Sequence, residues 1–296
     1  MAGSSARLRR LGAELRRLRE ASGRTQADVG RAIERSAPTL VNWEHGRTNI
    51  SKADLALLLK ELGATDDVRE ELERLRRVSR QQGWWSVFKL PDWLRPLISF
   101  EQDAASITTF EPLLIPGLLQ TEGYARAIHV AGTHTTDPAD VEKRVEVRMA
   151  RQRRLCGDEP VELHTIVGEA ALRLEVGGAG VMADQLWHLV RQASVPNIRI
   201  QVLPFNAGAK AGVASNFTVM HFAEPRLDPP LGYIDDPFGG HIVDDQEDVS
   251  QLVALFGYLS ESALDEPTSV DIIASIMDEY RAKSTRRRRG KGPMNA

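Results

Sequence analysis

A chain of 296 residues with 42% hydrophobic content is long enough for about two domains with real cores. It has no run of 18 consecutive apolar residues, which excludes a membrane-spanning helix, and its opening residues MAGSSARLRRLG lack the apolar centre of a secretory signal. Its one cysteine, Cys156, excludes an internal disulfide and a multi-cysteine metal site, so a cytosolic protein is expected. The net charge of −3 hides an asymmetry: residues 1–52 hold 11 Lys+Arg against 5 Asp+Glu, whereas residues 81–283 hold 16 against 29. A basic head on an acidic body is the charge plan of a DNA reader joined to a sensing domain.

Residues 7–21 read as a first helix, with Leu8, Leu11, Leu15 and Leu18 at three- and four-residue spacing and arginines 9, 10, 16, 17 and 19 elsewhere on it. Some of those arginines are expected to meet phosphate and the rest to form a solvated basic face. Residues 25–46, TQADVGRAIERSAPTLVNWEHG, read as two short helices joined by a tight turn. Thr25 is the first N-cap, with Asp28 in the first turn, and Ser36 the second; Gly46 suits a left-handed helix end. Val29 and Ile33 share one helix face, and Leu40 and Trp43 another. The outer face of the second helix carries Ala37, Pro38, Thr39, Val41 and Asn42, with no acid to repel phosphate. A loop over 47–51 follows, with Arg47 and Asn49 placed for backbone phosphate, then a helix over 52–62 ended by Gly63, and a charged helix over 66–80.

The stretch 25–46 resembles the helix-turn-helix of lambda-repressor-like, or XRE, regulators, through Thr25-Gln26, Ser36-x-x-Thr39 and Trp43-Glu44-x-Gly46. The resemblance implies that Gln26 touches phosphate and braces the recognition helix, that Ala37, Pro38 and Asn42 face bases, and that Glu44 pairs with an arginine of the first helix, Arg19. Ala37 and Pro38 stand where longer polar readers are common, and Glu34-Arg35 where glycine is usual, which shifts readout toward Arg35 and Asn42. The DNA-binding set is therefore Thr25, Gln26, Arg35, Ser36, Ala37, Pro38, Thr39, Asn42, Arg47 and Asn49, with Arg19 and Glu44 as a structural ion pair.

Composition changes at Gly83-Trp84-Trp85-Ser86, an aromatic patch continuing through Phe88 and Trp93. It could stack bases; the favoured reading is that it seals the junction to the second domain. Residues 91–110 read as a helix and an extended turn, with another helix from Thr121 and an arginine-rich one over 140–155. Residues 161–167, 198–204 and 217–222 alternate with period two and read as strands, with shorter candidates at 232–235 and 240–243. Helices are expected over 181–193, 249–264 and 270–281. The class expected is an all-α helix-turn-helix head of four to five helices, then an α+β domain with a mainly antiparallel sheet.

GWW, LPDWL, FEPLLIPGLLQTEGYARA, VEVRMARQRRL and QVLPFNAGA together resemble the second domain of actinobacterial WhiJ-like regulators, across about 84–277. Those relatives commonly carry tyrosine, an aliphatic residue and glutamate where this chain has Tyr233-Ile234-Asp235. The resemblance implies a small companion protein as partner.

Enzyme chemistry finds little footing. His129, His134, His164, His188, His221 and His241 show no HExxH spacing, and there is no P-loop. Gly177-Gly178-Ala179-Gly180 reads as a turn before a helix, Asp235-Asp236 with Asp244-Asp245 as an acidic turn rather than a cation site, and Cys156 as a buried thiol. No catalytic residue, cofactor or metal ligand is assigned. The division expected is 1–80 for the head, 81–283 for sensing or partner binding, and 284–296 as a basic disordered tail, with a share of DNA affinity the favoured role for that tail. The function expected is a sequence-specific, nucleoid-associated transcriptional regulator, acting as a homodimer on a double-stranded operator. A DNA-tethered enzyme and an antitoxin-like autoregulator remain alternatives.

Overall fold

A computed structural model describes residues 6–80, 83–88, 90–91, 93–132, 137–211, 215–225, 228–236 and 239–290. His134 and the tail beyond residue 290 lie outside them. Contacts divide the chain into two compact units: Met1–Ala104 with His221–Pro230, and Ala105–Met220 with Leu231–Ala296.

The first unit opens with α1 (Ala6–Ala21), α2 (Gln26–Ala32), α3 (Ala37–Glu44), α4 (Lys52–Glu61) and α5 (Asp66–Ser79). Short-range chemistry sets their ends. Thr25, Ser36 and Ser51 each accept a backbone N–H of the first turn through their hydroxyls, satisfying donors the helix cannot. Thr25 and Asp28 complete a reciprocal capping box. At the other ends, α2, α3 and α4 close in the same six-to-one pattern: Arg35 N–H to Gly30 O, Arg47 N–H to Asn42 O, and Ala64 N–H to Leu59 O. That closure needs one left-handed residue. Gly46 (φ 61) and Gly63 (φ 65) supply it at α3 and α4, and Glu34 (φ 57) supplies it at α2.

These helices close around Leu8, Leu11, Leu15, Val29, Leu40, Trp43, Leu55 and Leu72, and every buried residue of this core falls between 8 and 75. The unit extends past residue 80, because α6 (Leu94–Asp103) packs on α1. Before α6, the Trp84 ring stands edge-on to Trp85 and Phe88, and Trp84 Nε1 donates to Gln102 Oε1 at 3.4 Å.

The second unit holds β1 (Ser106–Glu111), α7 (Glu122–Ala131), α8 (Pro138–Arg151), β2 (Glu162–Gly168), α9 (Glu169–Arg173), α10 (Ala179–Gln192), β3 (Ile198–Leu203), β4 (Phe217–His221), β5 (Leu231–Asp236), β6 (Gly239–Val243), α11 (Gln246–Ser262) and α12 (Glu266–Gly290). The six strands form one sheet in the order β3-β2-β1-β4-β5-β6. The sheet is mixed. Its β4-β5-β6 half is antiparallel, and β1, β2 and β3 pair in parallel, with Phe110 opposite Ile166 and Val167 opposite Val202. Phe110, Ile166, Leu203, Phe217 and Val219 meet Val249, Phe256 and Leu259 of α11 in an apolar cluster on the sheet. The fold class is thus an all-α head followed by an α+β domain.

Three local expectations are corrected. The extended turn before residue 111 is β1, a strand inside the sheet. Cys156 is exposed, because the chain turns at Gly157 (φ 106) between a 3-10 turn and β2. The tail expected to be disordered from residue 284 is helical through Gly290; arginine is a good helix former, and a helix satisfies its own backbone without a core. The glycine run at 177–180 is the expected turn, with Gly177 and Gly178 both at positive φ ahead of α10.

Candidate nucleic-acid interface

Two close backbone approaches fix α3 against α1. A methyl group on Gly12 would lie 2.5 Å from Trp43 O, and one on Gly46 would lie 2.6 Å from Arg9 Cα. Side chains larger than hydrogen cannot enter either place, so α1 crosses the C-terminal end of α3 with its backbone almost touching. Glu44, the last residue of α3, is 7% exposed and accepts three hydrogen bonds. Arg19 donates through Nε at 2.6 Å and Nη2 at 3.0 Å, and Gln26 donates through Nε2 at 2.8 Å. A planar fork meeting a carboxylate is the strongest form of ion pair. Hydrogen bonding to Glu44 holds Arg19 above its ordinary range despite the opposing cost of burial. One carboxylate therefore ties α1, α2 and α3 together, in the place where Arg19 and Glu44 were expected to pair and Gln26 to brace.

The remaining candidates divide by what already holds them. Thr25 is committed to its capping box with Asp28. Ser36 caps α3, and its hydroxyl lies 2.8 Å from Thr39 Oγ1. Arg35 is turned away from its expected role in readout: its guanidinium lies 2.8 Å from Asp54 Oδ1 of α4 and donates to Glu34 O at 2.9 Å. Pro38 is exposed, and Ala37 and Asn42 are half-buried on the same outer face. The side chains of Asn42, Arg47 and Asn49 make no hydrogen bond or ion pair among the described residues, and Arg47 and Asn49 are exposed. An unengaged amide on the helix and an unengaged guanidinium and amide just past its end can grip bases and phosphates without first breaking a contact.

The arginines of α1 differ from those of the loop. Arg16 pairs with Glu20, Arg17 with Glu14 and Arg19 with Glu44. Arg7 pairs with Asp103, Arg9 with Asp228 and Arg10 with Glu224. Charge spacing along the helix gave no sign of the last three, because their partners lie more than 90 residues away. The glycines were equally silent: Gly12 looks like a weak point in a helix until its neighbour is known.

In the second unit, the strings PGLLQT and Arg148 to Gln152 prove to be one hydrogen-bonded assembly. Arg148 Nη1 donates to Gln120 Oε1 at 2.9 Å, and Gln120 Nε2 donates to Ile115 O at 2.7 Å. Gln152 Nε2 donates to Gln120 O at 2.6 Å, while Gln185 accepts from Thr121 N and donates to Leu119 O. Glu111 ends β1, where the parallel half of the sheet gives way to the antiparallel half. Burial pushes its carboxyl up to about 8; Arg148 and Arg151 pull it down, and Asp235 adds to the rise. Part of the Glu111 residue stays accessible to solvent. Among the described residues, no group of three or more His, Cys, Asp or Glu is arranged to hold a metal ion, and no helix is long and apolar enough to cross a membrane.

Two family models match the chain. One, described as a helix-turn-helix domain, covers residues 10–72; the other, described as a domain of unknown function (DUF5753), covers residues 94–275. No curated protein and no solved structure matches it. The helix-turn-helix match over residues 10–72 supports DNA binding by that part of the first unit.

Proposed function

The chain belongs to the DUF5753 family, and from that premise and the helix-turn-helix head we propose a sequence-specific transcriptional regulator of the XRE kind, with a WhiJ-like second domain that answers to a signal. The observation that carries it is the outer edge of α3: Asn42 unengaged on the helix, Arg47 and Asn49 unengaged just beyond it, on a support fixed by Glu44. Phosphate contacts position such a head, and amide contacts to base edges specify its site.

The reading pairs two heads on half-sites about one helical turn apart. It assigns the second domain to a small companion protein and assigns catalysis to neither unit. The protein acts in the cytoplasm, on the nucleoid.

A salt series with duplex DNA tests the head. Arg47→Ala is expected to weaken binding to every duplex alike and to reduce the magnitude of the salt slope by about one. An unchanged slope would remove Arg47 from the phosphate contacts.

A further inference from the structure

We propose that the second unit holds a binding site for a small phosphate ester, in which Arg148 and Arg151 of α8 meet the phosphate and Glu111, at the end of β1, meets a hydroxyl beside it. The site adds to the DNA-binding reading of the head without depending on it.

The topology marks the place. From β1 the chain moves outward through β2 to β3, then returns to lay β4 on the other side of β1. In sheets with parallel strands, ligands meet the carboxyl ends of the strands at the point where the strand order turns back. Glu111 is the last residue of β1. Phe110 and Ile234 pack in the apolar cluster under α11, so alternation turns Glu111 and Asp235 out of the opposite face of the sheet. The arginines of α8 reach the same corner: Arg148, Arg151 and Asp235 all act on the Glu111 carboxyl. A methyl on Gly117, in the PGLLQT turn, would lie 3.2 Å from Arg148 Nη1 and 3.8 Å from Arg151 Nη1. Segments far apart in sequence thus converge on one carboxyl.

That carboxyl is unengaged. The Glu111 side chain makes no hydrogen bond or ion pair among the described residues, although burial desolvates it and part of the residue reaches solvent. A desolvated polar group with nothing to bond calls for a reason, and a ligand that supplies the partner is one. The surroundings select the ligand. With its carboxyl raised to about 8, Glu111 is protonated at neutral pH and offers both a donor and an acceptor, the complement of a hydroxyl. Two guanidiniums against the one carboxylate of Asp235 leave net positive charge, which favours an anion. Tyr124 of α7, whose phenol burial pushes up to about 12, adds no charge. Gln120 orients Arg148 through Nη1. A guanidinium carries five N–H donors, and the phosphate joins the contacts the arginines already make rather than replacing them.

Calorimetric titration of the full chain with ribose 5-phosphate, and separately with glycerol 3-phosphate, tests this. Both stay dianions above neutral pH, because the second ionisation of a phosphate ester lies near pH 6. One saturable site per chain is expected. Affinity should fall about tenfold between pH 7 and pH 9, as Glu111 loses its proton and its new charge repels the anion. Glu111→Gln keeps a neutral donor and acceptor, so binding at pH 7 should persist and the pH dependence should vanish. Arg151→Ala should weaken binding roughly tenfold or more. Thermal unfolding of each variant checks that it is folded; if Arg151→Ala is not, the Glu111→Gln profile decides. The inference is overturned if neither ester binds saturably, or if affinity and pH profile are the same in wild type and Glu111→Gln. Either result leaves the DNA-binding reading of the head standing.

Discussion

Glu44 joins three helices through one carboxylate, and its removal leaves Arg19, 12% exposed, with the Arg24 carbonyl and Glu20 at 3.6 Å as partners among the described residues. Stranding one member of a buried pair costs roughly 3–5 kcal/mol. Glu44→Ala is expected to lose about 3 kcal/mol in denaturant unfolding and to weaken DNA binding in parallel. Wild-type unfolding in that variant would show that the pair does not hold the head. Glu111 acts in the other direction. Its carboxyl stands at about 8 in the folded chain against an ordinary value of 4.5, so the folded state holds the proton more tightly. Its contribution is complete below about pH 4.5 and is lost as pH rises toward 8. Glu111→Gln removes that slope. The difference in melting temperature, variant minus wild type, is expected to grow between pH 5 and 8; a constant difference would place Glu111 in water. The Arg19–Glu44 pair was readable because the resemblance fixes its register. Glu111 was not, since nothing in FEP marks a carboxyl that folding desolvates.

At the scale of elements, caps were the most legible feature, because a hydroxyl bonding an N–H three residues on is a local event. Thr25 and Ser36 were read correctly for that reason. The ends of α2 and α3 show how the same closure treats different residues. Glu34 holds the left-handed position at a steric cost of about 1–2 kcal/mol. Gly46 holds it freely and also lets the Arg9 backbone in. Thermal unfolding of two variants should therefore move in opposite directions. Glu34→Gly is expected to gain about 0.5–1 kcal/mol, after the extra entropy of an unfolded glycine is counted. Gly46→Ala is expected to lose roughly 2–5 kcal/mol, from strain and overpacking together. A stable Gly46→Ala head would mean that α1 and α3 are not in backbone contact. Strand β1 escaped notice because its sequence SITTFE does not alternate apolar with polar: Thr109 is polar yet buried beside Phe110, its Oγ1 donating to Phe217 O at 3.1 Å. Period-two reading finds strands with one wet face and passes over those covered on both.

For the whole molecule, charge pointed to a basic head and an acidic body, and the fold class followed from the two periodicities. What charge could not show is that six arginines of α1 already face carboxylates, three of them supplied by Asp103, Glu224 and Asp228. Sequence spacing reports neighbours on one helix, whereas these partners meet only after the chain has folded. Basic residues free for DNA are thus fewer than composition suggests, and the proposed readout rests on Asn42 with support from Arg47 and Asn49. Selection of bound duplexes from a random-sequence library tests that claim most directly, with wild type and Asn42→Ala run side by side. Wild type is expected to enrich one motif of two half-sites about one helical turn, roughly 10 base pairs, apart. Asn42→Ala should lose enrichment at an adenine in each half-site while still retaining bulk duplex. A wild-type pool with no enriched motif, or one identical to that of Asn42→Ala, would contradict sequence reading by α3.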